Sequence, residues 1–157
     1  MYKRQGRSWP NGCHVAEVEI DAETGEVRLD RYVSVDDVGN TVNPMIVHGQ
    51  VQGGIASGLG QAVLERTEYD ASGQLLSGSY MDYALPRADD MPSLSGSLFE
   101  KAPCLTNPLG AKGTGEIGAV AGPPAIVHAV IDALAEKGIT QVDMPLQPQK
   151  IWECLNR

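Results

Sequence analysis

Glu116 stands in a stretch almost stripped of side chains, Asn107-Pro108-Leu109-Gly110-Ala111-Lys112-Gly113-Thr114-Gly115-Glu116-Ile117-Gly118. Glycine permits positive φ and close approach of another group, at a cost in folding entropy. A loop this bare can cradle a ligand, and Glu116 is its one ionisable residue besides Lys112. In a glycine-walled, water-poor pocket its carboxylate would serve as a general base. The plainer reading is a carboxylate set favourably before a helix N-terminus. No His or second carboxylate lies within a few residues, so a partner must come from elsewhere in the fold or from a cofactor.

A second bare surface surrounds Gln50. Asn43 offers a side-chain oxygen as N-cap and Pro44 fits the first helical position, which predicts a helix from Pro44 to about Glu65. Val47, Val51, Ile55, Leu59 and Val63 form its inward stripe. On another row stand Gln50, Gly53, Gly54, Gly58 and Gly60, and each glycine costs about 1 kcal/mol of helix propensity against alanine. Either another helix packs there or a ligand lies against the row, with the Gln50 amide reaching over it. We expect the loop and this helix face to flank one hollow.

Gly113-Thr114-Gly115-Glu116-Ile117-Gly118 matches G-x-G-x-x-G, but a dinucleotide site needs a strand directly before the motif and a helix opening within it. Asn107-Pro108-Leu109-Gly110 precedes it, and the next helix is expected only at Pro123-Pro124. A phosphate-binding P-loop is excluded, since Gly-Lys-Ser/Thr does not occur.

These groups need a scaffold. Alternation over Cys13–Ile20 and Val27–Val35 around Asp21-Ala22-Glu23-Thr24-Gly25-Glu26 predicts a β-hairpin. His14, Ala16, Val18 and Ile20 share one inward face, as do Val27, Leu29, Val33 and Val35, and His14 reads as a packed histidine rather than a ligand. Ser93–Glu100 suits a strand. After Pro124, Ile126, Val127, Val130, Ile131 and Leu134 form a buried helical stripe opposite His128, Asp132 and Glu136. A short strand at Ile139–Val142 and a last helix from Pro148 through Leu155 follow. The fold class is α+β, a mixed two-layer fragment with a β-hairpin, a long Gly-rich helix and a C-terminal helical region.

The 157 residues suit one domain, and 18 glycines beside only two Trp, five Tyr and one Phe favour loops and close backbone packing. A formal net charge of -8 argues against nucleic acid. Cys13, Cys104 and Cys154 form neither a disulfide framework nor a metal site, and read as buried thiols of a cytoplasmic protein. No run of apolar residues is read as a membrane span. Residues 1–10 read as a non-native or disordered lead, and residues 11–157 as the C-terminal part of a longer protein's domain.

The order and spacing of Asp37-Val38-Gly39, Asn43-Pro44, Gly49-Gln50-Val51-Gln52-Gly53, Gly58-Leu59-Gly60, Gly110-Ala111-Lys112-Gly113-Thr114-Gly115-Glu116 and Gly122-Pro123-Pro124 resemble the molybdopterin-binding large subunit of the molybdenum hydroxylases. That family includes xanthine dehydrogenase, aldehyde oxidase and aerobic carbon monoxide dehydrogenase. The resemblance implies an oxidoreductase that oxidises a carbon centre with water-derived oxygen. Glu116 matches the family's catalytic base, Gln50 a glutamine that hydrogen-bonds the pterin, and Lys112, Gly113, Thr114 and Gly115 the loop that approaches the cofactor. It implies molybdopterin, as the cytosine dinucleotide, with molybdenum held by the pterin rather than by residues here. Iron–sulfur clusters and FAD would sit on partner subunits or domains, and the fragment alone would be inactive. The rivals are a nicotinamide-dependent oxidoreductase and a non-catalytic assembly domain whose glycines only allow tight packing.

Overall fold

The computed structural model describes residues 6–156; of the expected lead, residues 1–5 lie outside the described residues. Strands β1 (Asn11–Ile20) and β2 (Val27–Asp37) pair antiparallel, and β3 (Ser93–Leu98) runs parallel to β2, giving the order β1-β2-β3. Helix α1 (Pro44–Leu59) lies in the β2–β3 connection and ends in one π-helical turn at Gly60–Leu64. Helices α2 (Ile117–Leu134) and α3 (Pro148–Leu155) complete the α+β fold. Asn43 caps α1 as its sequence requires, its side chain accepting the Ile46 N–H at 3.2 Å.

One face of the sheet carries the core, but its membership differs from the expected alternation. Glu17 pairs with Arg31 and Val18 with Leu29, so Asp30 is an extra residue and the register shifts there. A bulge resets which side chains face inward. Leu29 is buried before it, and Tyr32, Ser34 and Asp36 after it. Val33 and Val35, expected inside, are 37% and 42% exposed beside Val15 on the opposite face.

Helices α1 and α2 pack side by side in parallel, backbone on backbone. A Cβ on Gly54 would stand 2.8 Å from the Ala119 nitrogen, and one on Gly58 would stand 3.1 Å from the Gly122 Cα. On the facing side, a Cβ on Gly118 would lie 2.4 Å from the Val51 carbonyl oxygen. The Gly row of α1 therefore divides. Gly54 and Gly58 serve helix packing, whereas Gly49 and Gly53 face open space.

That packing explains a second departure. Helix α2 begins at Ile117, not at Pro123-Pro124, and both prolines sit inside it. Interior proline costs about 3 kcal/mol, but Gly118 and Gly122 press the first two turns onto α1 and hold them helical. The helix thus does open within G-x-G-x-x-G, so one ground for rejecting a dinucleotide site falls. The other stands: Asn107–Gly110 is not strand, and Ile139–Val142 forms none either. The stretch Ile117–Lys137 has 21 residues and mean hydropathy 1.6, long and apolar enough to cross a membrane by those measures. Ile126, Val130 and Leu134 instead belong to the same core cluster as Val51 and Ile55 of α1, while His128, Asp132 and Glu136 are exposed as expected.

Gly118→Ala should destabilise the protein by about 1–3 kcal/mol through overpacking. Gly53→Ala should gain up to about 1 kcal/mol of helix propensity. Denaturant midpoints of the two variants check this, and equal midpoints would contradict the division of the glycine row.

Candidate functional site

Two neighbouring carboxylates at the end of β2 organise the site. Alternation along the strand sends Asp36 and Asp37 to different surroundings. The Lys112 ammonium meets the Asp37 Oδ2 at 2.5 Å, with both side chains only 11% exposed. The Gly39 N–H donates to Asp37 Oδ1 at 2.9 Å, and the Lys112 N–H donates to the Val38 carbonyl at 2.7 Å. Gly39 bridges to Ala111, and its φ of 66° lets the Gly110 carbonyl lie 2.2 Å from where a Cβ would project. Desolvation alone would raise the Asp37 carboxyl, but Lys112, the Gly39 N–H and Asn11 together hold it below the usual carboxylate range.

Asp36 holds the other side. Its Oδ1 lies 2.9 Å from His14 Nε2, and His14 Nδ1 lies 2.8 Å from the Tyr32 hydroxyl. Burial, then the Asp36 charge, pushes the Tyr32 phenol well above its ordinary value, so it stays a donor. We assign the tautomer from these partners: Nε2–H donates to the carboxylate, and Nδ1 accepts from the phenol. His14 is the packed histidine expected, its side chain 2% exposed. Asp36 Oδ2 and Ser34 Oγ are buried and have no hydrogen-bond partner among the described residues.

Between these two anchors lies a cavity of about 470 Å³. One wall is Pro10, Asn11, Gly12 and His14; the other is Gly113–Ile117 with Val120 and Ala121. Glu116 occupies the cap position of α2, yet its side chain makes no capping hydrogen bond. The residue lines the cavity and is exposed within this chain. Gly113 and Gly115 have nothing within 4 Å of where a Cβ would be. Thr114 Oγ1 is buried without a partner among the described residues.

The structure thus brings Glu116, Gly113, Thr114 and Gly115 together. Gln50 is not with them. It is exposed and does not line this cavity, so the expected hollow between loop and helix face is instead a hollow between loop and β1. Because α1 and α2 run parallel, Gln50 still lies at the end where α2 begins, one turn before Gly54. The Lys112 ammonium is engaged by Asp37 and lies outside the cavity lining. Tyr32, Asp36 and the Pro10–Gly12 wall were not singled out from the sequence, and Asp37 entered only as part of the Asp37-Val38-Gly39 motif, with no role given to it. The usable signal was the Asp36-Asp37 pair itself, since two adjacent acids ending a strand cannot share one face.

His14→Ala should cost about 3 kcal/mol or more in denaturant unfolding, because it strands a buried carboxylate and phenol. The stability that wild type holds over Asp37→Asn should be fully present above about pH 4. It should vanish as pH falls through the lowered folded value, which unfolding curves between pH 7 and 2 will read.

Residues 1–92 match the family described as molybdopterin cofactor-binding domain. The chain is 37% identical over 148 residues to the carbon monoxide dehydrogenase large chain of Hydrogenophaga pseudoflava, covering 94% of this chain and 18% of that protein. It is 38% identical over 141 residues to the nicotine 6-hydroxylase large subunit of Paenarthrobacter nicotinovorans, covering 90% of this chain and 17% of that one. The crystal structure of quinoline 2-oxidoreductase from Pseudomonas putida 86 superposes with a TM-score of 0.90 at 40% identity, over 94% of this chain and 19% of that chain. The chain therefore spans less than a fifth of the length of these relatives. A family match over more than half the sequence, with relatives this similar, means that the chain belongs to the molybdopterin cofactor-binding family and is part of a molybdenum hydroxylase large subunit.

Proposed function

We propose that the chain works within a molybdenum-dependent hydroxylase or dehydrogenase that oxidises a carbon centre with water-derived oxygen, and that Glu116 is its general base. The supporting observation is that Glu116 lines a cavity rimmed by bare backbone and makes no capping hydrogen bond to its own helix. A glutamate that capped its own helix would have its lone pairs engaged by N–H groups. This one keeps them for a proton.

The residues present fit a flat organic cofactor. Gly113 and Gly115 leave the backbone open to close approach, and the Thr114 hydroxyl is buried without a partner among the described residues. On this reading Lys112, Gly113, Thr114 and Gly115 hold molybdopterin through the loop, and Gln50 reaches it from the exposed side of α1. On the same reading the metal is held by the pterin rather than by side chains of this chain. When bound, the cofactor supplies the centre that accepts two electrons. Glu116 accepts a proton on a carboxylate oxygen, while Pro10, Ile117, Val120 and Ala121 present apolar surface that excludes water. The cytosine dinucleotide form, iron–sulfur and FAD partner modules, and a cytoplasmic setting complete the proposal. Substrate candidates are an aldehyde, an N-heterocycle or carbon monoxide.

Glu116→Gln in the intact enzyme should lower turnover by on the order of 10²-fold or more, with molybdenum and iron contents equal to wild type by metal analysis. Unchanged turnover, or NAD binding by a metal-free protein, would overturn the reading.

A further inference from the structure

The loop that carries Glu116 is held at its ends and hardly at all between them. Its far end is fixed by backbone contact, since Gly118 is pressed between Val51 and Ile55 of α1. Its middle has little packed against it: nothing lies within 4 Å of where Gly113 or Gly115 would carry a Cβ. Its near end is Lys112, whose N–H donates to Val38 and whose ammonium meets Asp37. Only three residues separate Lys112 from Glu116, so the near end is the nearest anchor on that side and sets where the stretch leading to Glu116 begins.

We propose that Lys112 is a positioning residue: its ion pair with Asp37 sets where the Glu116 carboxylate stands across the cavity. The pair does more than tie down a loop. Asp37 is in register with Asn11 of β1, and Asn11 lines the wall opposite Glu116. One carboxylate is therefore fixed to both walls, and the width of the cavity follows from it. An aliphatic side chain at position 112 would fill the same space without choosing a register. A buried ion pair adds little net stability compared with apolar packing, but it is directional. The ammonium's engagement by Asp37 also separates this role from direct contact with the cofactor.

The inference rests on Glu116 being the base, and the test keeps the two apart. It uses the intact enzyme with Lys112→Met, Lys112→Arg, Asp37→Asn, the Lys112→Met/Asp37→Asn double variant and Glu116→Gln. Amide hydrogen exchange reads residues 113–116. Kinetics with a dye acceptor read kcat and KM on whichever of an aldehyde, an N-heterocycle or carbon monoxide the enzyme oxidises. Lys112→Met and Asp37→Asn should each speed loop exchange about tenfold, leaving α1 and α2 protection and molybdenum content unchanged. They should lower kcat by on the order of 10²-fold, as a displacement of about 1 Å does, with KM little moved. The double variant should be no worse than either single one, since both remove one interaction, and Lys112→Arg should restore most of the rate. Unchanged loop exchange, or losses that multiply in the double variant, would overturn the inference. Loss of molybdenum in Lys112→Met but not in Asp37→Asn would overturn it too, because the ammonium would then be a cofactor contact. If Glu116→Gln keeps full turnover, the general-base reading fails, and the exchange result alone decides whether Lys112 sets the loop.

Discussion

Two adjacent carboxylates cannot point the same way on an extended strand, and the site is built on that constraint. Asp36 turns toward the core and takes His14; Asp37 takes Lys112. Through the first, the beginning of β1 is drawn in as one wall of the cavity. Through the second, the loop before α2 becomes the other. Neither wall has much packing of its own. Pro10–Gly12 leads into an edge strand, and Gly113–Gly115 is nearly bare. Backbone pairing with β2 and Val38–Gly39 holds both in outline, and the charges at the end of β2 add side-chain ties to each. Exposed ion pairs do little work of this kind, but side chains only a tenth exposed are poorly screened by water or salt.

The glycines divide by the same logic of what must come close to what. Gly54, Gly58, Gly118 and Gly122 let two helix backbones touch, and this contact holds two prolines inside α2 that would otherwise end it. Parallel packing also directs the positive end of the α2 dipole and the N-terminal half of α1 to the same side of the molecule. Gly113 and Gly115 do something different. They leave space empty, which packing alone would not call for.

Much of this was legible in the sequence because local signals agreed with the fold. The capped start of α1, its buried stripe, the hairpin and α3 rest on caps and periodicity that tertiary contacts reinforce. The misreadings occur where a long-range contact overrules a local rule. Val33 and Val35 keep perfect alternation with Val27 and Leu29, but the extra residue at Asp30 moves them to the other face. Pro123-Pro124 reads as a helix start because nothing local reveals that Gly118 and Gly122 meet α1. The Gly-rich loop stood out by its glycines, whereas the ion pair that ties it to β2 was missed, since an Asp–Lys pair 75 residues apart leaves no local trace. Gln50 lies on the expected helix but not in the cavity, because cavity membership depends on β1, which no helical pattern encodes.

Glu116 and His14 both line the cavity, and their hydrogen bonding differs. Both imidazole nitrogens of His14 have partners, Tyr32 on one side and Asp36 on the other. For His14 to accept a proton from the cavity, the Tyr32 hydroxyl would have to abandon Nδ1 and find another acceptor in a place that is 1% exposed. Glu116 faces no such conflict, since its carboxylate makes no capping bond and opens on the same space. Burial does not make Glu116 the better base, because within this chain it is the more exposed of the two. Its advantage is that it has free lone pairs. A histidine engaged on both nitrogens shapes the cavity, and that is why the proposed reaction assigns the base to Glu116 rather than to His14.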